Sequence, residues 1–465
     1  MTSVSSPQIT FLGAADTVTG SRFLLEYGSH QILLESGLFQ GPRELRQRNW
    51  DDLPIPADQL DAVLISHAHL DHCGYLPRLY RQGFRGPIYL TPDTANLAAI
   101  VLRDSAHLQE EDAKYAAEKG FSKHKVPLPL YDERDAEGAI SLFQPVNFSS
   151  WRDLPGGARV RFLPAGHILG ASLVDIDLPG ARLIHSGDLG QGEHPLLQGP
   201  HTIPAERYDA VMVESTYGNR VHPPRDESLA EVISATINRG GTVLIPAFAV
   251  DRTEVLLHAI NKDMESGAIP TVPIYVDSPM AINALVVYRH AIDADHVEIR
   301  PEIRDHLHAS DVFDPGTLET LRTPDESKSI NGAPPCIIVS ASGMATGGRV
   351  LHHLKRLLPD PLNSVILVGY QARGTRGASL RDGAAEVKIH GHMVPVRAEV
   401  HDLQFFSVHA DKDDVVRWLK TAEIAPKRII LIHGENDQRK ELAPVVEEAT
   451  GVPVVTPGYE ETLTL

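Results

Sequence analysis

Cysteine is almost missing: Cys73 and Cys336 are the only two in 465 residues. Two thiols cannot build a disulfide framework, so a small stapled secreted fold is excluded and a reducing cytoplasm is the expected location. Long apolar runs are missing too, and none approaches the roughly 18 residues of a membrane-spanning helix. The opening MTSVSSPQIT lacks the basic and apolar segments of a secretory signal. Basic residues are in deficit, 43 Lys and Arg against 61 Asp and Glu, a net charge of −18. That argues against indiscriminate nucleic-acid binding while leaving room for a local basic cleft. Apolar residues are not scarce: at 42% hydrophobic the chain can bury a core, which excludes disorder as its main state. The length suggests two or three domains, or one large domain with an insertion. Histidine is abundant, 23 in all, and its grouping carries most of the information.

Strand-like and helix-like runs alternate from end to end, without repeats or low-complexity segments. Strands are expected at 8–14, 21–27, 30–36, 62–69 and 158–167, with a hairpin turning on Pro-Gly at 175–188 and a helix at 92–119. Several of these strands deliver His or Asp at their C-terminal ends, where layered α/β proteins build sites. From Tyr208 the βα pattern becomes cleaner. Strands AVMVEST, TVLIPAFA, PIYVDSP, CIIVSAS and SVILVGY alternate with helices near 227–239, 251–265, 280–292 and 347–358, which predicts a mainly parallel sheet. The charged, Pro-rich stretch 293–335 is expected to wrap the surface. Strands VKIHG, VPVRAEV and RIILIHG follow, with helices near 411–422 and 436–449.

The sharpest signal is His67-Ala-His69-Leu-Asp71-His72, just past a strand. Three imidazoles and a carboxylate within six residues are poorly satisfied in a metal-free core. They are typical Zn²⁺ ligands, and a loop can turn alternate side chains to two neighbouring ions. His167, Asp188 and His433 each follow a separate strand. Any one alone reads more readily as a structural residue satisfied by backbone. Together the seven supply enough ligands for two ions sharing an aspartate, an arrangement that activates water and neutralises an oxyanion.

H-x-H-x-D-H followed by His167 and Asp188 resembles the metallo-β-lactamase superfamily. VESTYG (213–218), FFSVHAD (405–411) and LIHGE (431–435) resemble the three motifs of its β-CASP branch, which contains the nuclease of pre-mRNA 3′-end cleavage and its prokaryotic relatives. PAFAVDRTEVLL, VDSPMA, SASGMATGGR and GYQARGTRG also look like that branch, so the likeness runs from Thr10 to Glu435. It implies a metallo-β-lactamase αββα sandwich formed by 1–208 and 376–465, with a β-CASP α/β domain inserted at 209–375. It further implies that His67, His69 and His167 hold one zinc, that Asp71, His72 and His433 hold the other, and that Asp188 bridges them. In the same reading His409 is the general acid, Glu214 orients it or shares its proton, and Asp71 counts with the catalytic set. One position departs from the pattern. Glu35-Ser36-Gly37 stands where the family carries Asp in a DCG-like triplet, a carboxylate that supports a ligand histidine from behind.

The metal motif does not choose a substrate, since phosphodiesters, lactones, thioesters and β-lactams yield to similar physics. The resemblance implies an inserted domain that covers the site and leaves a slot suited to an extended polymer. Residues 346–397 carry eight Lys and Arg (Arg349, Lys355, Arg356, Arg373, Arg376, Arg381, Lys388, Arg397) against Asp360, Asp382 and Glu386. Such an excess is the footprint of a phosphate track, or ordinary solvated helix charge. Ser342, Gly343, Arg373 and Gly374 lie in Gly-rich loops whose N–H groups suit phosphates, and Arg252 joins them as a candidate substrate contact. Histidine at the third motif accompanies RNA rather than DNA in the family. The expected activity is a zinc-dependent hydrolysis of single-stranded RNA that leaves 5′-phosphates. Endonuclease is preferred, because the chain stops at Leu465 without the extra domain of the long exonucleolytic members. A 5′-exonuclease mode stays open. Competing readings are a catalytically weak RNA-binding subunit, a small-molecule ester or thioester hydrolase, and a DNA-processing enzyme. No membrane partner is expected. The final segment PVVTPGYEETLTL either pairs with a second copy in a homodimer or closes its own sheet.

Overall fold

The computed structural model describes residues 6–119, 127–224, 226, 228–304, 308–333, 335–372 and 374–465. The chain forms two compact units, one from Met1–Val221 with His409–Leu465 and one from His222–Val408.

The first unit holds two seven-stranded sheets. One runs, edge to edge, Thr462–Thr464, Gln8–Gly13, Arg22–Tyr27, His30–Leu34, Ala62–Leu64, Ile88–Leu90 and Phe143–Pro145. The other runs Val454–Val455, Ile429–Ile432, Ala210–Glu214, Ala181–His185, Ser172–Leu178, Arg159–Pro164 and Arg152–Asp153. Alternate side chains of both sheets share one core: Ile9 and Phe11, Phe23 and Leu25, Ile32 and Leu34, Phe162, Val174 and Ile176, Met212, Ile430 and Ile432. This is the period of two that a pleated strand imposes. The intervening Leu24, Leu33 and Val63 are buried as well, so both faces of these strands are covered, as in a layered α/β sandwich. The Pro-Gly hairpin is present between Ser172–Leu178 and Ala181–His185, with Leu178 opposite Ala181. The helix Pro92–Lys119 is also as expected. No described helix is long and apolar enough to cross a membrane.

The second unit is built on a six-stranded sheet ordered Leu318–Thr320, Ile274–Val276, Ile337–Ser340, Val243–Pro246, Ser364–Leu367 and Glu399–Asp402. Every neighbouring pair in it is parallel, in accord with the βα reading. A separate antiparallel hairpin joins Glu386–Ile389 to His392–Pro395.

Four differences from the sequence reading have physical causes. Ala210–Glu214 pairs in parallel with both Ala181–His185 and Ile429–Ile432, so it belongs to the first unit although its pattern matches the strands that follow. Glu399–Asp402 pairs with Ser364–Leu367 and stays in the second. The units therefore divide at 221/222 and 408/409, whereas the sequence placed the edges at 208/209 and 375/376. The stretch 293–335 does more than wrap the surface. Leu318–Thr320 extends the parallel sheet, and Val312 and Phe313 are fully buried. The expected strand 62–69 stops at Leu64, which frees the next residues to turn. The last segment closes its own sheet, Thr464 opposite Gln8 and Thr462 opposite Thr10.

Phe162 is fully buried in the shared core. Phe162→Ala should cost about 3–5 kcal/mol, read as a lowered denaturation midpoint of the first unit.

Candidate metal centre

Five strands of the first unit bring the site together at their C-terminal ends. Residues 65–69 follow Ala62–Leu64, and the short helix Leu70–Cys73 comes directly after His69, its N-cap residue. His167 follows Arg159–Pro164, Asp188 follows Ala181–His185, Glu214 ends Ala210–Glu214, and His433 follows Ile429–Ile432. The loop is held by backbone bonds: Ser36 N–H to the His72 carbonyl at 2.7 Å, Ser21 N–H to the Asp71 carbonyl at 2.9 Å, and Leu38 N–H to the Leu70 carbonyl at 2.8 Å. Gly37 permits this approach, because a Cβ there would lie 1.7 Å from the Asp71 carbonyl oxygen.

Four donor atoms converge in a first set. His69 Nδ1 lies 3.1 Å from His67 Nε2 and 3.3 Å from His167 Nε2. Asp188 Oδ2 lies 3.4 Å from His67 Nε2 and 3.5 Å from His167 Nε2. A single ring proton cannot serve all these approaches. A tetrahedral ion with bonds of about 2.0–2.1 Å requires edges of about 3.3–3.4 Å, so the spacing is that of a coordination shell. A second set faces the other carboxylate oxygen. Asp188 Oδ1 is 3.2 Å from His72 Nε2 and 3.5 Å from His433 Nδ1. His433 Nε2 is 3.2 Å from His72 Nε2 and 3.5 Å from Asp71 Oδ2. Asp188 thus turns one oxygen to each set, and its buried Oδ1 has no hydrogen-bond partner among the described residues.

The electrostatics fit cations. Asp71, Asp188, Glu35 and Glu214 surround the rings, and among the described residues no Lys or Arg forms an ion pair with any of them. Burial, then neighbouring rings, hold His67 below its ordinary value. The same causes push His69 down to about 3, and hold His167 well below its ordinary value. All three are neutral donors at physiological pH. Burial acts to raise the Asp188 carboxyl, but His433, His72 and His67 outweigh it and hold it well below the usual carboxylate range. The seven residues singled out from the sequence are therefore adjacent, and their donor set suits divalent ions held by nitrogen and oxygen.

His409 adjoins this centre. Its Nδ1 lies 3.1 and 3.2 Å from the two oxygens of Glu214 and 3.8 Å from Asp188 Oδ2. Glu214 is fully buried and also accepts the Leu189 N–H at 2.6 Å. Asp411 caps the helix Lys412–Leu419 through a capping box, which secures the segment that carries His409. The Glu35 departure resolves into a shared carboxylate. It lies 3.1 Å from His185 Nε2 and 3.6 Å from His72 Nδ1, and it accepts the Ser66 N–H at 3.2 Å. Ser66, His185 and Thr216, whose Oγ1 is 3.1 Å from His433 Nδ1, were not singled out in the sequence. Their only signal was adjacency to ligands in SHAHLDH and HSGD and a place in VESTYG.

The substrate candidates lie in the second unit. Gly343 and the segment after Ser364–Leu367 meet there, since Gln371 Nε2 donates to the Gly343 carbonyl at 3.1 Å. Ser342 Oγ is 3.0 Å from Thr346 Oγ1. Gly374 takes a left-handed backbone, φ +81. Arg252 is buried at the start of the helix Arg252–Glu265. Arg373 lies outside the described residues. The basic strip is only partly available as a track. Arg349 pairs with buried Asp277 at 2.7 Å, Arg376 donates to the Lys388, Ala345 and Thr346 carbonyls, and Arg381 pairs with Asp382 at 2.9 Å. These three arginines brace the fold because loop carbonyls and carboxylates within reach need donors.

Comparison with known proteins agrees with this geometry. Residues 18–217 match the metallo-β-lactamase superfamily, 253–380 the Beta-Casp domain, and 393–457 the Zn-dependent metallo-hydrolase RNA specificity domain. A ribonuclease from Thermus thermophilus is 38% identical over 93% of this chain and 94% of its own. The chain belongs to the β-CASP family of metallo-β-lactamase hydrolases. An RNase J-like protein of Methanocaldococcus jannaschii is 32% identical over 97% of both chains. The transcription termination factor FttA of Pyrococcus horikoshii is 31% identical over 98% of this chain and 71% of its own. A solved protein of unknown function from Enterococcus faecalis shares the fold, with TM-score 0.54 and 15% identity over 99% of this chain and 100% of its own. As a β-CASP protein the chain is a metal-dependent hydrolase, of the α/β architecture expected.

Gly37→Ala in this β-CASP chain should lower stability by about 2 kcal/mol or more and reduce bound metal. Thermal unfolding and elemental analysis of the purified variant check both.

Proposed function

We propose that this β-CASP chain is a zinc-dependent ribonuclease that cuts single-stranded RNA endonucleolytically, using two zinc ions per chain, in the cytoplasm. The observation that carries the reading is Asp188, one oxygen toward each ligand set, with the His409–Glu214 pair beside it. RNA as substrate is supported by the match to an RNA specificity domain at 393–457 and by the ribonuclease relative that spans nearly the whole chain. The two free cysteines, both buried, suit a reducing compartment.

His67, His69 and His167 would hold one ion and Asp71, His72 and His433 the other, with Asp188 shared. Zinc bound there supplies an activated water and Lewis-acid compensation of charge at the scissile phosphate. Glu214 accepts the Nδ1 proton of His409, which fixes the ring with Nε2 free to act. The proton delivered to the departing 3′ oxygen is then the one on Nε2, and the product carries a 5′-phosphate. Asp71 completes one ligand set and adds negative charge that a second cation offsets. Ser342, Gly343, Arg252, Arg373 and Gly374 remain the proposed contacts to the strand.

His409→Ala should reduce cleavage of labelled single-stranded RNA about 10²–10⁴-fold while RNA binding survives. Untouched cleavage would remove His409 from its role. Elemental analysis should find two zinc ions in the wild type and one in His433→Ala, with activity lost on chelation. A small-ester substrate turned over without competition from RNA would instead favour a small-molecule hydrolase.

A further inference from the structure

Behind the ligand rings lies a buried pair that the proposed reaction does not use. Glu35 and His185 are both hidden from solvent, with His185 Nε2 3.1 Å from Glu35 Oε1. Glu35 sits at φ +63, an unfavourable backbone for a residue with a side chain. It is held there by its own N–H to the Leu64 carbonyl at 2.9 Å and by Ser36 N–H to the His72 carbonyl at 2.7 Å. Its carboxylate reaches both ligand sets. Oε2 lies 3.6 Å from His72 Nδ1. Both oxygens also accept the Ser66 N–H, at 3.2 and 3.3 Å, and Ser66 Oγ lies 3.0 Å from His67 Nδ1. Glu35 thus lies in ion-pair range of His72 Nδ1, which has no hydrogen-bond partner among the described residues, and it holds the backbone of Ser66, whose hydroxyl faces His67 Nδ1. The far side of His185 packs edge-on against Phe23, centroids 5.5 Å apart, and its Nδ1 has no partner among the described residues. Among the described residues the hydrogen bond its ring makes is therefore the one to Glu35.

We infer that His185 is a positioning residue for the metal centre: by anchoring the Glu35 carboxylate it orients His67 and His72 together and sets metal affinity. This rests on the reading that the seven residues hold metal. The physical reason is geometric. A glutamate has one more rotatable bond than an aspartate, and fixing its end group requires a second partner. His185 supplies that partner from the strand that also leads to Asp188, so the anchor and the shared ligand move as one element. Groups behind metal-ligating histidines commonly change affinity 10–100-fold when removed.

The test is chelator competition for zinc, and for cobalt followed by its visible spectrum, on metal-loaded wild type, His185→Phe, His185→Gln and Ser66→Ala. His185→Phe keeps a ring against Phe23 and removes the donor, and it should weaken metal binding 10-fold or more and alter the cobalt spectrum. His185→Gln keeps an N–H donor and should recover most of that loss. Ser66→Ala should weaken binding several-fold through His67 alone; if His185→Phe does not fold, His185→Leu carries the test and should show the same loss of affinity. The inference is overturned if His185→Phe binds metal as tightly as wild type, or if the Gln variant is as weak as the Phe variant. A wild type that binds no metal overturns the reading beneath it instead, so the two failures are told apart.

Discussion

One carboxylate organises the first unit. Asp188 is buried with an oxygen turned to each group of rings, and every other feature of the site is arranged around the charge this creates. Four carboxylates share this low-dielectric pocket with His67, His69 and His167, which are held neutral, and the carboxylates repel one another. The arrangement is stable where divalent cations offset that charge. Metal binding and local folding are then one free-energy term rather than two.

The site also explains why the supporting backbone is so constrained. Loop residues 65–72 leave a strand that ends early at Leu64, and their carbonyls are taken up by Ser21, Ser36 and Leu38. Gly37 gives up its side chain to let that happen, while Glu35 accepts a left-handed backbone to aim its carboxylate. Strain of this kind is tolerated where the surrounding structure over-determines the conformation. The second unit has different priorities. The inner strands of its all-parallel sheet are buried on both faces, and several of its arginines serve carbonyls and carboxylates rather than solvent.

Much of this was legible in the residues. The H-x-H-x-D-H cluster and the strand-end positions of His167, Asp188 and His433 pointed to side chains that the fold does bring together, because ligand chemistry uses few residue types at short spacing. The parallel sheet was legible from apolar runs alternating with helical ones. What was not legible depended on partners far along the chain. Ala210–Glu214 reads like the strands after it, and only its pairing with Ile429–Ile432 assigns it to the first unit. His185 looks like any strand-end histidine until Glu35, 150 residues earlier, is found against it. The arginines at 349, 376 and 381 read as a phosphate track, since charge in sequence does not reveal which carbonyl a guanidinium will meet.

The wide separation of the ligands has a consequence for synthesis. His72 and His433 meet across 361 residues, with the whole second unit encoded between them. On the ribosome the early histidines emerge long before their last partner, and the inserted unit can fold in the interval as its own body. A nascent chain therefore cannot complete the ligand set that includes His433 until that residue has left the exit tunnel. For an enzyme that cuts RNA, this delay would spare the message from which it is being translated.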